Sequence, residues 1–272
     1  MSRMIVNVEA LNLRRSAGPA TPATLLTTLH LGQSVDVTGA PVDGWLPVVL
    51  AAPGGTQQGF VRQTLPAGPQ TGASELPSLR DPASPAREAL VAAAVAQWVR
   101  FKFGQGKEAE DPFFRFIGEM WTAIGFTHDG QDVDIPWSAA AISFMVRQAS
   151  NQAPKYQQFK FAASHSRYIN DAIRNAGKSA APFWGLRLHE RRPELGDIIV
   201  RSREQPITFE LAAASDSFKS HGDIVVGIRP DEVIALGGNV SDSVAITRYA
   251  KTPAGFVDAS KGVFALLANN AG

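Results

Sequence analysis

The stretch Pro136-Trp137-Ser138-Ala139-Ala140-Ala141-Ile142-Ser143-Phe144-Met145-Val146 decides the fold of the larger part of this chain. A proline just before an apolar run is typical of the start of a helix. Residues 139–146 are apolar on every side of that helix except at Ser143. A helix that is apolar all round is buried. The stretch therefore predicts a central helix, beginning near Ser138, that other elements must surround.

Helix signals flank this stretch on both sides. Ser84-Pro85 combines a capping residue with proline at the first helical position. Asp111-Pro112 predicts a second helix start, and apolar spacing predicts a helix over roughly 161–175. The central helix is thus the third of four predicted helices.

After Pro193 the apolar pattern is that of short strands. The predicted strands cover 197–200, 207–211, 223–228, 233–236 and 240–246. Helices followed by an antiparallel sheet indicate the α+β class.

Residues 3–65 read as all-β, because short apolar runs alternate with Gly- and Pro-containing turns. Several short strands in so few residues bury a face most economically as a small barrel. Residues 66–85 contain five prolines and predict a linker. The sequence thus predicts a β-barrel over 1–65, a linker over 66–85 and a second domain over 86–272.

Composition narrows the functional classes. The net charge is +1, and no run of Lys or Arg exceeds two residues, so we expect no nucleic-acid partner. No apolar stretch approaches the roughly 18 residues of a membrane span, and the N-terminal residues lack a signal-peptide pattern. We therefore expect no membrane insertion and a cytoplasmic location, unless a non-classical route exports the protein to the cell wall. The chain has no cysteine, which excludes disulfides and a thiol nucleophile.

The first domain resembles the bacterial SH3-like domain. The resemblance rests on four segments that occur in order: Val8-Glu9-Ala10-Leu11-Asn12-Leu13-Arg14, Leu31-Gly32-Gln33-Ser34-Val35, Asp43-Gly44-Trp45 and Gly59-Phe60-Val61. Members of that family commonly attach cell-wall enzymes to peptidoglycan, so the resemblance implies a cell-wall partner. Trp45 is interpreted first as a core residue and second as a ligand contact.

The second domain resembles the NlpC-type branch of papain-like cell-wall peptidases, most of all a subfamily with a Pro-Trp-Ser-Ala-Ala motif. Three motifs carry the resemblance: Pro136-Trp137-Ser138-Ala139-Ala140, Leu195-Gly196-Asp197-Ile198-Ile199 and Ser220-His221-Gly222-Asp223-Ile224-Val225-Val226. They imply a catalytic site of Ser138, where relatives have cysteine, with His221 as the base. Asn239, in Gly237-Gly238-Asn239-Val240, falls where a polar third residue is expected.

Simple geometry agrees with this set. A helix N-terminus favours negative charge on a nucleophile or oxyanion. If 229–232 form a turn, the two flanking strands pair with residue numbers that sum to about 460, which places His221 opposite Asn239. An amide that accepts from one ring nitrogen leaves the other nitrogen free as a base.

Structural roles compete with the catalytic ones. Serine must lose its proton during the attack, whereas cysteine can be a thiolate beforehand. Ser138 alternatively caps a helix, His221 alternatively ends a strand with its polar groups satisfied, and Asn239 alternatively belongs to a turn.

Three further residues are predicted to line the site and contact the substrate: Trp137, His165 and Asp223. Asp223 lies two residues from His221 on the same strand face and is placed to pair with it. His165 is alternatively a core residue on its helix. A metal bound by His221 and Asp223 lacks a convincing third ligand, so we expect neither metal nor cofactor.

The leading functional hypothesis is a hydrolase that cleaves an amide bond of the peptidoglycan stem peptide. The first alternative is a catalytically inactive protein that binds the cell wall. The second is a secreted effector or phage-associated protein that is delivered to a target cell wall.

Overall fold

The computed structural model describes residues 1–18, 21–52, 55–66 and 75–272. The chain divides into two compact units, residues 1–83 and 84–272. The protein is α+β with antiparallel sheets, as the sequence predicts. Among the described residues, no helix has both the length and the apolar character that a membrane crossing requires.

The first unit is a β structure, as predicted for 3–65. Its strands are β1 (Ser2–Val6), β2 (Ala10–Arg14), β3 (Leu25–His30), β4 (Ser34–Val37), β5 (Trp45–Ala52), β6 (Gly55–Arg62), β7 (Thr64–Pro66), β8 (Glu75–Pro77) and β9 (Leu79–Arg80). Seven of them form one sheet in the order β3-β2-β6-β5-β4-β1-β9, and β7 pairs with β8. Trp45 is buried, which agrees with its interpretation as a core residue.

The predicted linker over 66–85 needs correction at its C-terminal part. Residues 67–74 lie outside the described residues. Residues 75–80 are not a linker, because β8 pairs with β7 and β9 pairs with β1. Leu79 explains the difference, since its buried side chain joins the apolar core of this unit.

The second unit contains five helices: α1 (Pro85–Arg100), α2 (Phe113–Thr122), α3 (Ser138–Ala149), α4 (His165–Arg174) and α5 (Phe209–Ala214). Ser84 caps α1 as predicted, since its side chain accepts a hydrogen bond from the Arg87 amide. The central helix α3 is almost fully buried and packs against α1, α2 and two strands of the sheet. Its polar Ser143 is satisfied by the backbone of Ala162.

The second sheet has six strands in the order β10-β15-β11-β12-β13-β14. They are β10 (Phe183–Leu186), β11 (Ile198–Ser202), β12 (Ser220–Ile228), β13 (Glu232–Gly237), β14 (Ala245–Ala250) and β15 (Val263–Asn269). The strand predicted over 207–211 is wrong. Thr208 caps a helix there by accepting a hydrogen bond from the Leu211 amide, and three alanines continue it.

A buried ion pair ties α1 to the sheet. The Arg87 guanidinium lies 3.0 Å from the Asp197 carboxylate and also donates to the carbonyls of Leu195 and Asn269. Burial raises the pKa of Asp197 to about 6, and the charge of Arg87 opposes that rise. The Leu195-Gly196-Asp197 motif therefore has a structural role, because it anchors α1 beside β11.

Candidate active site

Ser138 and His165 form the centre of the site. Ser138 is the first residue of α3, and its Oγ lies 2.7 Å from Nε2 of His165, the first residue of α4. The two residues are only 2% and 4% exposed. The interpretation of Ser138 as a helix cap is wrong, because Trp137 holds the capping position and the Ser138 hydroxyl bonds the imidazole instead.

Tyr168 orients the histidine from one turn further along α4. Its hydroxyl forms a short hydrogen bond with Nδ1 of His165, as side chains three residues apart on a helix can do. Burial raises the pKa of Tyr168 well above its usual value, and the charge of Asp223 raises it further. The phenol therefore stays neutral. When it accepts from Nδ1–H, Nε2 carries a lone pair that accepts the Ser138 proton.

His165 is neutral near physiological pH. Burial lowers the pKa of His165 well below its usual value, and nearby positive charge, including that of Arg203, lowers it further. The position at the start of α4 acts in the same direction, since the positive end of a helix dipole disfavours a cation. A neutral imidazole is the form that a general base requires.

The pair opens onto a cleft of about 250 Å³. Ser138, His165, Arg203, Lys219 and Ser220 are among its lining residues. The amides of the first helical turn have no acceptor within their own helix, and Ala139 of this turn also lines the cleft. Nucleophile, base and oxyanion donors are thus available at one opening.

His221 is in van der Waals reach of this pair but does not bond Ser138. Its ring centre lies 5.2 Å from that of His165. Its Nδ1 accepts from Arg203 at 3.1 Å, and its Nε2 lies 2.9 Å from Asp223 Oδ1. A guanidinium only donates and a carboxylate only accepts, so in this arrangement Nδ1 of His221 accepts and Nε2 donates. Both nitrogens are occupied, and the histidine next to the Ser138 hydroxyl is His165.

Asn239 does not orient His221. The register sum of 460 is confirmed at Ile224↔Leu236 and Val225↔Ala235. However, β13 ends at Gly237, and Asn239 adopts a left-handed φ of 55° in the turn that follows. The nitrogens of His221 bond Arg203 and Asp223 instead. The turn interpretation of Asn239 is therefore the one that the backbone supports.

Two of the three predicted substrate contacts are buried away from the cleft. Trp137 is 2% exposed, donates to Glu108 at 2.6 Å and stacks on Phe101. Asp223 is fully buried and bonds His221, as predicted, and also Tyr249. Burial raises the pKa of Asp223, but His221 and these hydrogen bonds outweigh it and hold the pKa below its usual value. His165 does line the cleft.

The described residues contain no group of three histidine or acidic side chains placed to hold a metal ion. His221 and Asp223, which the sequence analysis considered as metal ligands, bond each other instead. Arg203 and Tyr168 are the site residues that the sequence did not predict as functional. The three-residue spacing of His165 and Tyr168 on one helix could have indicated their contact. Arg203 follows a strand and belongs to no motif that would have indicated it.

The sequence of the second unit matches a family model. Residues 95–266, more than half of the chain, match the family described as "Uncharacterized protein conserved in bacteria (DUF2272)". The chain belongs to this family. The DUF2272 region contains Ser138, His165, Tyr168 and Arg203, so the whole candidate site lies within it. No curated protein matches the chain.

Proposed function

We propose that this DUF2272 protein is a serine-dependent amide hydrolase of the papain-like class that acts on bacterial cell-wall peptides. The observation that carries the proposal is the 2.7 Å contact between Ser138 Oγ and His165 Nε2 in the lining of a cleft. A nucleophile and its base need this separation. The start of a buried helix on an antiparallel sheet is also where papain-like enzymes hold their nucleophile.

The reaction would proceed in two stages. Ser138 Oγ attacks the carbonyl carbon of the amide while His165 Nε2 takes the hydroxyl proton, and first-turn amides of α3 stabilise the oxyanion. His165 returns the proton to the departing amine, and the C–N bond breaks to leave an acyl-serine. A water molecule, deprotonated by the same nitrogen, then releases the acid and restores Ser138.

The surroundings of His165 favour a slow enzyme. During the attack His165 becomes an imidazolium in a buried site, and its Nδ1 partner is the neutral phenol of Tyr168 instead of a carboxylate. A Ser-His-Asp triad stabilises that charge better. The buried Asp223 carboxylate is close enough to act on Tyr168 through space.

The substrate class follows from two resemblances and the family description. The motifs around Ser138 and His221 resemble those of cell-wall peptidases, and the first unit resembles SH3-like domains that bind peptidoglycan. The family is described as conserved in bacteria. We assign the first unit the role of holding the substrate and the second unit the role of cleaving a stem-peptide amide.

One observation favours a second function, binding without cleavage. Ser138 is only 2% exposed, and an acyl carbon must come within about 3–3.5 Å of the attacking oxygen. If the cleft does not open further, the protein would recognise cell-wall fragments without cutting them.

Digestion of purified peptidoglycan with mass analysis of the products separates the two functions. The wild type should release peptide fragments, and Ser138→Ala should release none. Ser150→Ala is the matched control, because Ser150 lies at the opposite end of α3, where its hydroxyl donates to the Arg147 carbonyl. Binding of the polymer without any released fragment would support the second function.

A further inference from the structure

Arg203 lies in the wall of the cleft that contains Ser138 and His165. It follows the last residue of β11, where the ladder with β12 continues through a hydrogen bond from the Arg203 amide to the Lys219 carbonyl at 3.0 Å. The side chain is half-buried. The backbone ladder thus fixes where this guanidinium enters the cleft.

Only one side-chain contact holds the Arg203 guanidinium among the described residues. It donates to Nδ1 of His221 at 3.1 Å, whereas a guanidinium has five N–H donors. In the described part of the chain its other donors have no side-chain acceptor. The carboxylates of Asp223 and Glu204 act on the guanidinium only through space. By contrast Lys219, in the same wall, is paired with Glu204 at 2.8 Å.

A line of buried hydrogen bonds continues from His221, the partner of Arg203, to Asp223 and Tyr249. His221 Nε2 donates to Asp223 at 2.9 Å, and Tyr249 donates to the other carboxylate oxygen. His221 and Asp223 are fully buried. A β-carbon at Gly237 would lie 3.0 Å from His221 Nε2 and much closer to Asp223, so the space behind Arg203 is filled. This line holds the guanidinium in the wall of the cleft through its contact with His221.

The same wall contains a second unsatisfied polar group. The Ser220 hydroxyl is buried and has no hydrogen-bond partner among the described residues. An unpaired buried hydroxyl and a half-buried cation that no carboxylate contacts directly both cost free energy. Both costs fall when an anionic ligand enters the cleft.

We propose that Arg203 binds a carboxylate of the substrate next to the acyl group that Ser138 attacks, and so selects anionic substrates. This inference rests on the proposed function, because it places the carboxylate beside the Ser138 nucleophile. A planar guanidinium with free donors matches a carboxylate in two parallel hydrogen bonds. The substrate class is therefore a peptide amide with a free carboxylate close to the bond that is cut.

The test uses the full chain with Ser138→Ala, so that binding is measured without turnover. Two stem peptides serve as probes, identical except that one carries a free glutamyl carboxylate and the other its carboxamide. Calorimetric titration should show the carboxylate peptide binding more tightly by about tenfold or more, as expected for charge-assisted hydrogen bonds. Arg203→Gln should abolish that preference, and Arg203→Lys should retain part of it.

Lys219→Gln is the matched control in the same wall, because it removes one positive charge that Glu204 already neutralises. It should leave the preference intact. Equal affinity for the two peptides, no binding of either, or an equal loss of preference in Lys219→Gln and Arg203→Gln would overturn the inference. Thermal unfolding of each variant verifies that it is folded. Failure of Ser138 to react with acylating reagents would overturn the proposed function alone, since the titration does not depend on catalysis.

Discussion

Ser138 and His165 are each the first residue of a helix, and the starts of these two helices meet with Ser138 Oγ 2.7 Å from His165 Nε2. One helix start offers amides that favour an oxyanion. At the other, burial lowers the pKa of His165 and favours the neutral imidazole. The pair thus combines the two electrostatic conditions that an oxygen nucleophile needs. The histidine that contacts Ser138 comes from α4, whereas the sequence motifs indicated one from β12.

Replacement of His165 tests the assignment of the base. His165→Gln should lower the rate of peptide release by about 10²–10⁴-fold, the usual contribution of a general base. His189→Gln, which changes an exposed histidine outside the cleft, is the control and should leave the rate unchanged. Equal rates for the wild type and His165→Gln would show that His165 is not the general base.

Gly222 tests whether the Tyr168–His165 contact positions the base. A β-carbon at Gly222 would lie 2.8 Å from the Tyr168 hydroxyl and 3.3 Å from His165 Nδ1. Gly222→Ala should therefore displace the imidazole and lower kcat by about a hundredfold, as small geometric errors do. Gly227 lies in the same strand, and a β-carbon there would have its nearest neighbour at 3.4 Å, an ordinary contact. Gly227→Ala should therefore leave kcat nearly unchanged. Similar kcat values for the two variants would contradict the positioning role.

The pH profile follows from the environment of His165. Burial lowers its pKa well below 6.5, so the neutral base persists as the pH falls through that value. The acidic limb of kcat/KM should therefore lie below pH 6.5. The same lowered pKa affects stability, because the unfolded state binds the histidine proton first as the pH falls. The contribution of His165 to the free energy of unfolding should therefore be complete above about pH 6.5 and be lost as the pH falls further. An acidic limb of the wild-type kcat/KM profile at or above pH 6.5 would contradict a buried base.

The buried pair of Arg87 and Asp197 should dominate the electrostatic stability of the second unit. Asp197→Ala leaves the Arg87 guanidinium, 8% exposed, without its buried partner, and only the half-exposed Glu194 carboxylate at 2.8 Å remains as a counter-ion. We expect a loss of about 3 kcal/mol in the free energy of unfolding, the low end of the cost of breaking a buried pair, measured with denaturant. Glu119→Ala breaks the half-exposed pair with Arg100 and should cost less than about 1 kcal/mol. Comparable losses would mean that the buried pair does not anchor α1.

The sequence predicted the elements whose signals are local. Apolar spacing and the Ser84-Pro85 cap located α1, and the apolar run after Trp137 located α3. The turn at 229–232 was enough to give the register of β12 and β13 at Ile224↔Leu236. Local patterns failed at 207–211, where a short capped helix contains the same apolar residues that a strand would.

The site was predictable only in part, because its contacts are long-range. Ser138 and His165 are 27 residues apart, and nothing in either motif states that the two helix starts meet. The resemblance indicated His221 as the base, yet its nitrogens bond Arg203 and Asp223. Arg203 follows a strand without any motif, and only the pairing of β11 with β12 brings it to the cleft.

Covalent labelling of Ser138 tests the central claim most directly. A fluorophosphonate reagent should form a Ser138 Oγ–P bond with loss of fluoride, while His165 takes the hydroxyl proton. Mass analysis of the digested protein should locate the adduct on Ser138, and His165→Gln should slow its formation by about a hundredfold or more. Ser150→Ala should label as the wild type does. An unlabelled Ser138, or labelling that proceeds at the same rate without His165, would contradict a serine nucleophile activated by this histidine.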